Sequence, residues 1–181
     1  MSDYDKVKGL YLSEQWDYET PDWLFDFLNE LFNFRLDAAA NIHNTKLPDF
    51  INEETNALTV SWKNEGKWWL NPPWGRLYTE KTGYSIGDWM RKAFVEYLDG
   101  NEGVAIVSAR CDTRWWHNNV KFAPYVWFPK GRVKFLLEGE VKVQPNFPSA
   151  CIIFVRELTD EQVYQLNQKG WLVKRYLPTD K

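Results

Sequence analysis

Lys67-Trp68-Trp69-Leu70-Asn71-Pro72-Pro73-Trp74 joins a short apolar run to a corner that can continue neither a strand nor a helix. Tryptophan and leucine at 68–70 suit a buried strand. Each following proline fixes φ and removes a backbone donor, so a hydrogen-bonded ladder must stop at Asn71. Taken alone, such a corner is also an ordinary turn that ends a strand. Its meaning depends on whether the strand belongs to an open α/β sheet, which gathers ligands at the carboxyl ends of its strands.

The flanking sequence predicts such a sheet. Upstream, Thr20-Pro21 reads as a helix N-cap followed by proline at the first helical position. Leu24, Phe27, Leu28 and Leu31 then recur at helical spacing. Phe34–Ala39 reads as a strand ending in Asp37-Ala38-Ala39-Ala40, with a shorter strand near Asp49-Phe50-Ile51. Downstream, the Gly75–Tyr84 stretch reads as a loop, either a mobile lid or an inert surface segment. Ile86, Trp89, Met90, Ala93, Phe94 and Tyr97 mark a helix from about Ser85 to Leu98, stopped by Gly100.

Gly103–Ala109 is almost wholly apolar, as a central strand of a parallel sheet would be. A short helix over Thr113–Lys121 and strands at Tyr125–Phe128, Val133–Leu137 and Ala150–Val155 follow. Thr159 and Gln162 form a capping-box pattern before a last helix that Gly170 ends. This alternation predicts one compact α/β domain over residues 13–181, with a mostly parallel sheet, helices on both faces, and residues 1–12 as a flexible tail.

Composition narrows the classes. No apolar stretch of the 181 residues approaches the ~20 needed for a membrane span, and Met1–Leu12 is not a charged-then-apolar signal sequence. Cys111 and Cys151 adjoin apolar runs and read as small buried hydrophobes of a reducing, cytoplasmic compartment. With only His43 and His117 beside them, the sequence predicts no metal site. The net charge of −3 gives no general electrostatic case for nucleic acid. Such a role must rest on a local basic surface. Several of the eleven tryptophans fall in loops, where stacking on a base becomes available.

The corner itself suits one demanding reaction, methylation of an exocyclic base amine. The lone pair of that nitrogen is delocalised into the ring, so two acceptors must take its protons and aim the lone pair. Asn71 offers a side-chain oxygen, the carbonyl of Pro72 a second acceptor, and Pro73 rigidity without a competing donor. Trp74 can stack on a base taken out of the duplex. His117 needs no part, because the methylated amine is a strong acid that gives its proton to water.

Here the sequence resembles the compact phage-type DNA N6-adenine methyltransferases, from about Glu14 to Val155. The segments that carry the resemblance are Trp16 to Pro21, Leu36 to Ala40, Asn56-Ala57-Leu58 with Trp62, and Asn71 to Trp74. Ala109 to His117, Gly131 to Phe135 and Pro148-Ser149-Ala150 complete it. The resemblance implies a Rossmann-like fold dependent on S-adenosylmethionine. It implies that Tyr18, Thr20, Pro21, Asp37, Ala38 and Ala39 hold the methionine end of that cofactor, with Asn44 and Asn56 towards its ribose and adenine. Asn71, Pro72, Pro73 and Trp74 match the catalytic motif. Three positions depart from the pattern. Trp74 replaces a tyrosine, Asp37 to Asn41 lacks the usual glycines, and Asn56 stands where relatives often have an acid.

Arg76 and Lys81 in the Gly75–Tyr84 loop, Arg110, Asp112 and Arg114 after the central strand, and Arg132 with Lys134 are the candidates for contact with DNA carrying a flipped adenine. Each also has an inert reading, as a solvated face or, for Asp112 or Thr113, a helix cap. One of the adjacent Trp115 and Trp116 is expected in the core. Methyl transfer to cytosine N4, RNA adenine or a protein glutamine, and a non-catalytic nucleic-acid-binding role, remain open on the residues alone.

Overall fold

The computed structural model of the protein describes residues 18–73, 75–137, 139–143 and 147–176. In chain order they form α1 (Asp22–Phe32), β1 (Phe34–Asp37), β2 (Lys67–Leu70), α2 (Arg76–Thr82), α3 (Ile86–Leu98) and β3 (Gly103–Ser108). Then come α4 (Arg114–Asn119), β4 (Tyr125–Pro129), β5 (Phe135–Leu137), β6 (Glu140–Val143), β7 (Ser149–Phe154), α5 (Asp160–Lys169) and β8 (Gly170–Lys174). The expected tail at residues 1–12 lies outside the described residues.

Six strands form one sheet in the order β1-β2-β3-β7-β4-β8, and β5 with β6 forms a separate pair. The pairs β1/β2 and β2/β3 are parallel, whereas β3/β7, β4/β7 and β4/β8 are antiparallel. The expectation of a mostly parallel sheet is therefore corrected. A parallel return needs a crossover of a dozen or more residues, usually a helix. Between β4 and β7 the described chain offers only the short pair β5/β6, so β7 enters antiparallel. Because β3 and β4 both oppose β7, the strands β1 to β4 all run one way. Their carboxyl ends lie at a single edge.

The central strands β3 and β7 are buried on both faces, and alternate residues of the sheet feed two cores. Trp69, Val104, Ile106, Cys151 and Ile153 pack with Leu24, Phe25, Phe27 and Leu28 of α1 and Leu166 of α5. Trp68, Leu70, Ala105, Val107, Ile152 and Phe154 pack on the other side with Trp89, Met90 and Ala93 of α3. Helices thus cover both faces, as the apolar run of β3 required.

Several local expectations change. Pro21 is the N-cap of α1, not its first helical residue, and the Thr20 side chain does not cap. The Gly75–Tyr84 loop contains α2, which Gly83 ends in the left-handed region at φ 78°, its N–H donating to the Thr79 carbonyl at 2.9 Å. Tyr78, buried from that helix, supplies the apolar anchor. The strand expected over Phe34–Ala39 stops at Asp37, and that over Val133–Leu137 begins at Phe135. Gly170 does not cap by a left-handed turn; it opens β8 in extended backbone. Cys111 is exposed, contrary to expectation, while Cys151 is buried. Trp115 and Trp116 are both half-buried against the second core. No described helix is long and apolar enough to cross a membrane.

Candidate active site

The strands β1 and β2 end side by side, with Asp37 paired to Trp69, and the chain leaving them encloses a cavity of about 310 Å³. That is the size of a small-molecule site. Asp37 and Asn71 line it from the strand ends, Tyr18, Glu19 and Thr20 from the segment before α1, and Asn41, Asn44 and Lys46 from the loop after β1. Asn56 and Ala57 close one side, and Tyr78 of α2, Trp89 of α3 and Tyr84 between them supply an aromatic wall.

Several polar atoms of the residues in this wall are buried without a partner. The Asn71 Nδ2 donates to the Tyr18 carbonyl at 2.6 Å. A carbonyl only accepts, so this bond fixes which way the amide points. The Asn71 Oδ1 is left buried and unpaired, as are the Thr20 Oγ1, the Asp37 Oδ1 and the Trp89 Nε1. Buried polar atoms are nearly always bonded, so four exceptions lining one cavity mark a site built for a polar ligand.

Asp37 is 3% exposed. Burial pushes its carboxyl up from 3.8 to about 6, against the pull of the Lys46 and Ala39 amides and the Lys46 charge. The Lys46 N–H donates to its Oδ2 at 3.0 Å. The loop that follows shows why glycines are dispensable here. No residue between Ala38 and Lys46 has a positive φ. Instead, Asn41 and Asn44 tie each other, the Asn41 N–H donating to the Asn44 Oδ1 at 2.8 Å and the Asn44 N–H to the Asn41 Oδ1 at 3.2 Å. Asn56 does adopt the left-handed region, at φ 55°, which asparagine tolerates. Its Oδ1 accepts from the Leu58 N–H at 3.2 Å.

The sequence profile of the DNA N-6-adenine-methyltransferase (Dam) family matches residues 10–172. The chain belongs to that family. It is similar to the DNA N-6-adenine-methyltransferase of Haemophilus phage HP1 (strain HP1c1), at 30% identity over 143 residues, which cover 76% of this chain and 77% of that protein. Among the acceptors left open by the residues, family membership selects N6 of adenine in DNA.

Within this methyltransferase, Tyr18, Thr20, Asp37, Ala39, Asn44, Asn56, Asn71 and Pro73 line the cavity. Pro21, Ala38 and Pro72 are buried beside it; the Ala38 N–H donates to the Trp69 carbonyl at 2.9 Å. Trp74 and the side chain of Arg76 lie outside the described residues. Lys81 is exposed on α2. Arg110, Asp112 and Arg114 are exposed after the carboxyl end of β3, and Arg110 lies 4.5 Å above the Phe147 ring. Thr113, not Asp112, is the N-cap of α4. Arg132 and Lys134 are exposed after β4. The next strand is held against the cavity rim, because Glu19 and Leu136 exchange backbone bonds of 2.8 and 2.9 Å.

Sequence reasoning missed Glu19, Lys46, Tyr78, Tyr84 and Trp89. Trp89 carried a helical period and read as pure core, and Tyr78 fell in a stretch read as loop. Lys46 had no motif to flag it. No group of three or more histidine, cysteine or acidic side chains able to hold a metal occurs among the described residues.

Proposed function

We propose that this family member transfers the methyl group of S-adenosylmethionine to adenine N6 in the cavity at the ends of β1 and β2, with Asn71 as the catalytic acceptor. The observation that carries the reading is the Asn71 amide, whose nitrogen is engaged by the Tyr18 carbonyl at 2.6 Å and whose oxygen is buried and unpaired. An acceptor held in this way costs no reorganisation when an amine arrives. The Pro72 carbonyl serves as the second acceptor.

The lining residues fit the cofactor. An ammonium suits the unpaired oxygen of Asp37, hydroxyl and amide groups suit Thr20 and Asn44, and the aromatic wall of Tyr78, Tyr84 and Trp89 suits a purine. When bound, the cofactor supplies an electrophilic methyl on a sulfonium, which no side chain here provides. The chain's own part is to bind, to exclude water and to polarise the target amine. Asn71 and Pro72 accept its two N–H groups and turn its lone pair towards the methyl. The proton shed afterwards passes to water. The target base must leave the duplex to reach a cavity at a strand edge, and Trp74 follows the corner where its ring would stack, worth ~1–3 kcal/mol. The parallel half, β1 to β3 with helices on both faces, supports a Rossmann-like reading of the fold.

Labelled methyl incorporation into unmethylated DNA, followed by nucleoside analysis, tests this. N6-methyladenine from the wild type and at least about 10²-fold less from Asn71→Ala, with the fold intact, is expected. Near-normal activity in that variant would remove Asn71 from its role. Methyl on cytosine, RNA or protein alone would overturn the substrate.

A further inference from the structure

We infer that Lys46 anchors the α-carboxylate at the amino-acid end of the cofactor, an inference that rests on reading the cavity as an S-adenosylmethionine site. That end carries an ammonium and a carboxylate on one carbon. A site that holds it needs an anionic and a cationic group close together. Among the described residues lining the cavity, Lys46 has the one cationic side chain, against the acids Glu19, Asp37 and Glu53.

Two contacts place it. The backbone N–H of Lys46 donates to the Asp37 Oδ2 at 3.0 Å, which fixes the lysine beside the anion. Its side chain then runs to the start of α1, where Nζ meets the Asp22 Oδ1 at 2.6 Å. The Lys46 side chain is 15% exposed, whereas that of Asp22 is 76% exposed. A pair with so solvated a carboxylate is weak, and does not by itself account for a lysine drawn under the surface. An ammonium has three donors, and Asp22 occupies one. Thr20, two residues before Asp22, adds the second observation. Its Oγ1 is buried and unpaired on the same wall, a hydroxyl donor that needs an acceptor. The positive end of the α1 dipole acts in the same sense. Lys46 and Thr20 thus form a carboxylate clamp beside Asp37.

Calorimetry on the full chain without DNA tests the assignment, with S-adenosylmethionine and its decarboxylated form as probes. The wild type should bind the intact cofactor about tenfold or more tightly than the decarboxylated one. Lys46→Met should weaken the intact cofactor by about tenfold, leave the decarboxylated form within about twofold, and melt like the wild type. Lys46→Arg should recover much of the loss. Asp22→Asn, which removes the competing carboxylate charge beside the lysine, should hold or raise affinity.

Equal weakening of both probes by Lys46→Met, or a loss in Asp22→Asn as large as that in Lys46→Met, would overturn the clamp in favour of a merely structural lysine. Unchanged binding in Lys46→Met would overturn it while leaving the cofactor site standing. Failure of the wild type to bind either probe would bring down the reading of the cavity, and the clamp with it.

Discussion

The carboxyl of Asp37 has one oxygen on the Lys46 amide and the other unpaired, in a wall that is otherwise mostly neutral. Its folded value of about 6 against 3.8 sets a sign. Below 3.8 both folded and unfolded chains hold the proton. Between 3.8 and 6 the unfolded chain releases it while the folded one keeps it, so stability falls as pH rises through that window. Above it the ionised carboxylate costs the cofactor-free fold about 3 kcal/mol. Asp37→Asn should therefore melt higher than the wild type at pH 8, with the gain shrinking towards pH 4, and should lose cofactor affinity. A variant that is less stable at pH 8 would contradict the burial argument. In the wild type, cofactor affinity should fall as pH drops through about 6, because protonation removes the charge proposed to meet the ammonium, and Asp37→Asn should be flat. At this scale the sequence was readable where a polar residue ended an apolar strand, as Asp37 and Asn71 do. Lys46 was hidden because its position follows from the path of an irregular loop, and the cavity role of Trp89 because a helical tryptophan fills a core in most settings.

The elements divide in the same way. α3 and α5 were legible from period and cap. Ser85 donates its N–H to the Asp88 carboxylate at 2.8 Å, and Thr159 and Gln162 close the expected reciprocal box. β8 was not legible, since Gly170 read as a helix stop and the four mixed residues after it carried no alternation. Its glycine has a packing reason that only the pairing reveals. A Cβ at Gly170 would lie 2.3 Å from the Phe128 carbonyl and 2.5 Å from the Trp127 indole nitrogen. The backbone oxygen cannot rotate away, and the Trp127 indole is pinned by its bond to the Leu166 carbonyl at 2.8 Å. Gly170→Ala should thus force β8 away from β4 and destabilise the fold by about 1–3 kcal/mol, read as a lower melting temperature. Thr159→Ala, which loses only a cap, should cost about 1 kcal/mol. A Gly170→Ala chain as stable as the wild type would mean that β8 is not seated as described. The site lies at the ends of β1 and β2, with β3, β7 and β4 between it and β8, so cofactor binding in folded Gly170→Ala should persist.

At the scale of the molecule, an acidic chain must bring a polyanion to its active edge. The sequence could not say how, because net charge ignores direction, and direction depends on a strand order that includes the unforeseen antiparallel β7. That order supplies the direction. β1 to β4 share one polarity, so the chain after β3, with Arg110 and Arg114, and after β4, with Arg132 and Lys134, leaves the sheet at the edge where Asp37 and Asn71 lie. Lys63, before β2, and Arg156, after the reversed β7, leave at the opposite edge. Phosphate contacts release counterions, so each one lost should lower the slope of log affinity against log salt by about one. Alanine at Arg132 and Lys134 together should weaken binding to duplex DNA, flatten its salt dependence by about two, and leave cofactor affinity unchanged. Alanine at Lys63 and Arg156 should change the slope little, although it removes the same formal charge. Equal effects from the two pairs would mean that DNA is held by the overall field and not by the catalytic edge. A selective effect of the first pair would place the duplex against the carboxyl ends of β3 and β4, with its adenine within reach of Asn71.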